Sequence, residues 1–287
     1  MDLMICGMCG VQYDTRCMVS CAVCDDPRQY VPPEGQTWTT LRDLQRSRKY
    51  SNVFRKDAFH SGVISIFTQP QVAIGQRAFL LCSPKGNILW DCVTYIDDET
   101  IARIAELGGV QAIVISHPHY YSTSLHWAEA LGCKVYISAE DEEWVMRKGG
   151  AMAFWSEKRM ELLDGEFVAV KVGGHFPGSS VLFWPRERKL FIADSITAVP
   201  SGVYHVDRPA NTVSFAFMWS YPNMIPLPPD EVHHIWKAVA DLDFADTHGA
   251  FWGRDTRGNS KKRVLESAQL VVRAMGYPDH SIHRECM

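Results

Sequence analysis

The stretch VISHPHYYSTSLHWAEALG, residues 114–132, decides how this chain folds. It opens as the end of an apolar run, QAIVIS, passes through two histidines separated by one proline, and continues with helical spacing. An apolar run of this length bounded by a turn reads as a buried strand, and STSLHWAEALG reads as the helix that follows it. His117 and His119 then stand at the carboxyl end of a strand, where layered α/β proteins place their chemistry. In an extended turn positions 117 and 119 face the same way, and Pro118 stiffens the backbone between them.

Outward from this point the same alternation continues. VISIFTQP, AFLLC and ILWDCV read as strands, the last two joined across PKGN. DETIARIAELG is a helix with Asp97 or Asp98 as N-cap and Gly108 as its stop. KVYIS is a strand and AEDEEWVMRKG a helix. FVAVKV, SSVLFW, KLFIAD and FADTHGAFW are strands, and PPDEVHHIWKAVADL and KKRVLESAQLVVRAMG are helices. Interleaved strands and helices in both halves imply a layered α/β fold. Three more candidate ligands lie at strand-to-loop junctions: His175 just after a strand in VKVGGHFPGSS, Asp194 ending KLFIAD and His248 ending FADTH. Glycines around His175 permit a close approach to a ligand.

The first two dozen residues have another character. Cys6, Cys9, Cys17, Cys21 and Cys24 crowd ICGMCGVQYDTRCMVSCAVCDD, where two C-x-x-C pairs flank an eleven-residue spacer. Cys6, Cys9, Cys21 and Cys24 have the layout of a small zinc ribbon, with Cys17 as a substitute for Cys21. Four thiolates would close the site and make it structural. The turn-rich stretch with Pro32, Pro33 and Gly35 marks the expected boundary between a ribbon-like segment, 1–34, and the main domain, 35–287.

Composition narrows the function. The 287 residues are 46% hydrophobic, enough for a sizeable core, and the net charge of -4 leaves no electrostatic footprint for nucleic acid or an anionic membrane. The opening MDLMICGMCG lacks the charged region and long apolar core of a signal peptide, so a cytoplasmic location is expected. Nine cysteines in a reducing compartment suit free thiols or metal ligands.

HPHYYS, GGHFPGSS, LFIADS and DTHGAF, in this order across about the last 230 residues, resemble the motifs of the metallo-β-lactamase superfamily. The resemblance implies an αββα sandwich binding one or two metal ions between its two sheets, through an H-x-H-x-D-H loop, a later histidine, a strand-ending aspartate and a final histidine. SHPHYY and GGHFPGS are similar to a subgroup of bacterial and fungal members, among them fungal lactamases that open cyclic carbamates or lactams such as benzoxazolinone.

The departures matter as well. Tyr121 and Ser122 stand where the superfamily loop has Asp and His. His117, His119 and His175 remain as three imidazoles with an open fourth position, the donor set of a catalytic zinc. Asp194 and His248 are left for a second, weaker ion, or Asp194 joins the first. His126 is a substitute for the missing loop histidine.

The implied chemistry is hydrolysis by a zinc-bound hydroxide, with water of pKa near about 7. Asp194 serves as base, and His248, Tyr120 and Tyr121 are hydrogen-bond donors to the oxyanion or leaving group. SFAFMWSYPNMIPLPP is expected to wall an apolar pocket through Phe217, Trp219 and Tyr221 and to suit a small aromatic or apolar lactam, carbamate or lactone. Two other classes stay open: a mononuclear iron oxidase or dioxygenase of the same fold, and a non-catalytic binding or scaffold protein using the ribbon to contact a partner.

Overall fold

The structure is a computed structural model describing residues 2–204, 209 and 211–287. The chain divides into two compact units, Met1–Ser156 and Glu157–Met287, and the expected boundary at 34/35 lies inside the first.

The first unit is built on a seven-stranded sheet. Ser51–Lys56, Val63–Gln69, Arg77–Ser83 and Gly86–Trp90 form an antiparallel meander. Ala112–Val114, Lys134–Ser138 and Met152–Trp155 then add in parallel. Parallel strands need crossovers, and helices supply the first two. Asp98–Glu106 starts at Asp97, whose carboxylate accepts from the Thr100 N–H, a cap worth about 1 kcal/mol. Ser124–Leu131 stops at Gly132, which takes the left-handed backbone (φ 68°) that ends so many helices.

The expected helix over AEDEEWVMRKG is instead a short 3-10 segment, Ala139–Trp144, broken at Asp141 (φ -108°, ψ 17°). Asp141 is fully buried, which a solvent-facing helical position would not allow. The N-terminal segment is woven into this unit: Met4–Cys6 pairs antiparallel with Trp38–Thr40, and the Asp14 N–H donates to the Met146 carbonyl.

The second unit holds a five-stranded sheet in the order Arg159–Leu162, Phe167–Lys171, Ser180–Trp184, Lys189–Phe191 and Asp246–His248. Only the last strand is parallel to its neighbour. Its register pair Lys189 and Asp246 is also an ion pair, 2.8 Å apart. Helices Pro229–Val239 and Ser260–Ala274 bury Ile235, Trp236, Val264 and Val272 in one core with Val170 and Leu190. The expected strand FADTHGAFW ends at His248, because the chain turns at Gly249, whose N–H donates to Asp255. Among the described residues, no helix is long and apolar enough to cross a membrane.

Candidate metal centre

In the first unit, Ala112–Val114 is fully buried between two parallel neighbours, which explains its unbroken β-branched and apolar run. The Ser116 N–H donates to Asp91 at 2.7 Å and fixes where the strand ends. His117 is extended (φ -168°, ψ 172°), but Pro118–Tyr120 closes into a 3-10 turn. The expected extended turn through residue 119 is therefore corrected. Proline has the φ of a helix start and needs no N–H partner there. The turn brings the imidazoles of His117 and His119 to 5.3 Å between ring centroids, and both are buried.

The flanking residues are committed within this unit. Tyr120 is fully buried with its ring 5.3 Å from that of His117. Tyr121 donates its hydroxyl to the Asp141 carbonyl at 3.1 Å, and burial, then the Asp141 charge, pushes its pKa well up. Ser122 adopts a left-handed backbone, φ 42°. His126 is half-buried on the following helix, its pKa lowered by burial and then by Arg147.

In the second unit His175 follows Phe167–Lys171 in a turn where Gly173 and Gly174 both have positive φ (65° and 83°). A Cβ on Gly174 would come within 2.8 Å of Leu227, so the turn requires glycine on both counts. The His175 Nδ1 lies 2.8 Å from the Trp219 carbonyl oxygen. A carbonyl only accepts, so the neutral ring carries its proton on Nδ1 and keeps the Nε2 lone pair for a ligand bond. That Nε2 is 3.8 Å from Asp194 Oδ2. The carbonyl of Asp194 accepts in turn from the Tyr221 hydroxyl at 2.6 Å.

His248 keeps other company in this unit. Its ring stacks on Phe191 at 4.9 Å, its Nε2 lies 3.2 Å from an Arg257 nitrogen, and its Nδ1 lies 3.7 Å from an Asp255 oxygen. A guanidinium only donates, so Nε2 accepts and the Nδ1 proton faces Asp255. Asp255 and Arg257 belong to no motif visible in the sequence. The aromatic stretch, expected as a pocket wall, acts partly as support: Phe217 is buried in the core, Trp219 supplies a main-chain carbonyl and Tyr221 a hydroxyl.

A second donor set lies at the N-terminus. Cys6, Cys9, Cys21 and Cys24 are buried with their sulfurs within 4.8 Å of one another, and the pairs Cys6/Cys24 and Cys9/Cys21 are each 3.6 Å apart. A zinc tetrathiolate with bonds of 2.3 Å has a tetrahedral edge of about 3.8 Å, so the set fits a closed site. Cys17 is exposed and outside it. The N–H groups of Met8 and Cys9 point at the Cys6 sulfur (3.3 and 3.4 Å), and the Gln36 amide reaches it at 3.0 Å. Hydrogen bonds with the Cys21 and Cys24 thiols pull the Cys6 thiol far below its ordinary range, while burial raises that of Cys9.

Residues 73–243 match the family model of the metallo-beta-lactamase superfamily. The chain is 41% identical over 281 residues to the uncharacterized protein YmaE of Bacillus subtilis (strain 168), covering 96% of this chain and 97% of that one. The crystal structure of the DIM-1 metallo-beta-lactamase superposes with a TM-score of 0.58 at 11% identity, covering 78% of this chain and 100% of that chain. VMB-1 gives 0.58 at 13% identity, with 78% and 99% coverage. FIM-1 of Pseudomonas aeruginosa, in its mono-zinc form, gives 0.50 at 16% identity, with 78% and 96% coverage. At these identities the structures establish the α/β fold they share with this chain.

Proposed function

The chain belongs to the metallo-β-lactamase superfamily, and from that premise we propose that it is a metal-dependent hydrolase, with His117, His119, His175 and Asp194 as its candidate metal ligands. The observation that carries this reading is the hydrogen bond from His175 Nδ1 to the Trp219 carbonyl, because it directs the opposite nitrogen, beside Asp194, to ligand duty. Neutral imidazoles with one carboxylate are a donor set that suits zinc. When bound, such an ion polarises a carbonyl and yields an activated water near neutral pH.

The chain's own groups do the rest. The Asp194 carboxylate accepts the proton of the attacking water, and its main chain is held in place by Tyr221. His117, His119, His175 and Asp194 are each buried, and a polar contact made to a buried group is stronger than one made in bulk water. His248, stacked on Phe191, accepts from Arg257 and turns its Nδ1 proton toward Asp255, so both ring nitrogens are engaged by its own neighbours. The substrate in this reading is a small, apolar or aromatic cyclic amide, carbamate or ester. Its setting in this reading is a reducing cytoplasm, which suits nine cysteines that form no disulfide.

The experiment is metal analysis of the purified chain followed by a screen of lactams, cyclic carbamates, lactones and thioesters. Zinc-dependent ring opening that disappears in His117→Ala is expected. Stoichiometric iron with oxygen uptake, or no turnover of any class by zinc-loaded protein, would overturn it.

A further inference from the structure

Within the first unit the four-cysteine cluster and the histidine loop meet at one side chain. Gln76 is 2% exposed, and its amide nitrogen donates to the Cys9 carbonyl at 2.8 Å and to the His119 carbonyl at 3.1 Å. A primary amide has two N–H groups, so both are placed, one on each segment. Residues 9–12 and 119–123 are tied at further points. The Gln12 N–H donates to the Ser122 carbonyl at 3.0 Å. Gly10 (φ 81°) packs so tightly on Thr94 that a Cβ would lie 2.1 Å from its hydroxyl, and the Thr94 carbonyl accepts from Thr123 at 2.9 Å.

A segment of this length that carries four thiols takes its backbone geometry from the ion they bind. The Cys9 carbonyl belongs to a ligating residue, Gln76 reads the position of that carbonyl, and the His119 main chain is bonded to the same amide. We infer that a metal ion held by Cys6, Cys9, Cys21 and Cys24 positions the His117–His119 pair through Gln76, so that the histidine site reaches full affinity only after the cysteine site is filled. Gln76 is thus a positioning residue acting through His119. The inference rests on the reading of His117 and His119 as ligands.

The test is a cobalt titration of the metal-free full-length protein, followed by absorption and by hydrogen exchange. Cobalt bound by thiolates gives strong near-ultraviolet charge-transfer bands, and a histidine and carboxylate site does not, so the two phases separate. The first equivalent should carry the thiolate signature and slow exchange in 117–123 before the second binds. Gln76→Met fills the same volume without N–H groups. It should leave the thiolate phase unchanged and weaken the second phase by about tenfold or more, the usual effect of losing a group that orients a ligand.

A second phase of unchanged affinity in Gln76→Met, or exchange in 117–123 that responds only to the second equivalent, would overturn the coupling. If Gln76→Met does not fold, the exchange response of the wild type decides alone. His117→Ala is the control for the underlying reading. If the second phase survives it, the ligand set is wrong, whatever Gln76 does.

Discussion

His175 donates its Nδ1 proton to the carbonyl of Trp219 at 2.8 Å, and that acceptor is main chain. The indole is therefore not what orients the imidazole. Trp219→Leu should retain the metal of the histidine site, whereas His175→Ala should lose it, as measured by metal content after gel filtration. Equal loss in both would show that the indole, not the carbonyl, holds the ring.

Asp194 stands beside His175 with its own carbonyl tied to Tyr221. Asp194→Asn keeps the shape and removes the base. Turnover should fall by about a hundredfold or more, the size of a lost general base, while most of the metal stays bound. Parallel measurement of kcat and zinc content checks this, and undiminished kcat counts against the role.

Restoring the superfamily loop with Tyr121→Asp and Ser122→His should add one metal equivalent at saturating zinc, at a measurable loss of stability. The first change removes the hydroxyl bonded to the Asp141 carbonyl, and the second places a larger side chain at φ 42°. Together these cost about 2–3 kcal/mol. Denaturant unfolding and metal analysis read the two effects, and a stable double variant with no added metal would argue against the loop reading.

The pair Lys189 and Asp246 gives a pH dependence. Burial opposes the Asp246 charge, yet hydrogen bonds from Lys189 and from the Gly258 N–H hold its carboxyl below the ordinary range. A carboxyl depressed on folding adds stability above its unfolded pKa of about 3.9 and loses it as pH falls through the lower folded value. Stability should therefore decline below about pH 4, with a shallower slope in Asp246→Asn. At pH 7 that variant should already be weaker by about 1–3 kcal/mol, because Lys189 is left buried without its carboxylate. Parallel slopes for the two proteins would remove Asp246 from the account.

The histidines and Asp194 stand out in the sequence because each ends an apolar strand or lies within a few residues after one, and strand ends can be read from hydrophobic runs. Their supports are not. Gln76 matters only through carbonyls 67 and 43 positions away, and no local pattern encodes such a meeting. Trp219 acts through an atom every residue has. Cys17 and Cys21 compete on spacing alone, and the choice falls to Cys21 because Tyr13 donates to its sulfur at 3.3 Å while Cys17 lies exposed. The strand Ser51–Lys56 escapes detection because Val53 and Phe54 are adjacent rather than alternating. It forms because Val63–Gln69 offers an edge with six registered partners.

The strand that carries His248 joins its sheet beside Lys189–Phe191 only after the excursion of residues 192–245. The four strands before it close through short connections and can pair as soon as each is available, whereas this one must first pass through a long loop closure. His248 is also the last of the five residues His117, His119, His175, Asp194 and His248 to be synthesised. A chain halted before Asp246 would hold His117, His119, His175 and Asp194 yet lack the strand that borders Phe191, and nascent copies should acquire any His248-dependent activity as a late and separate step.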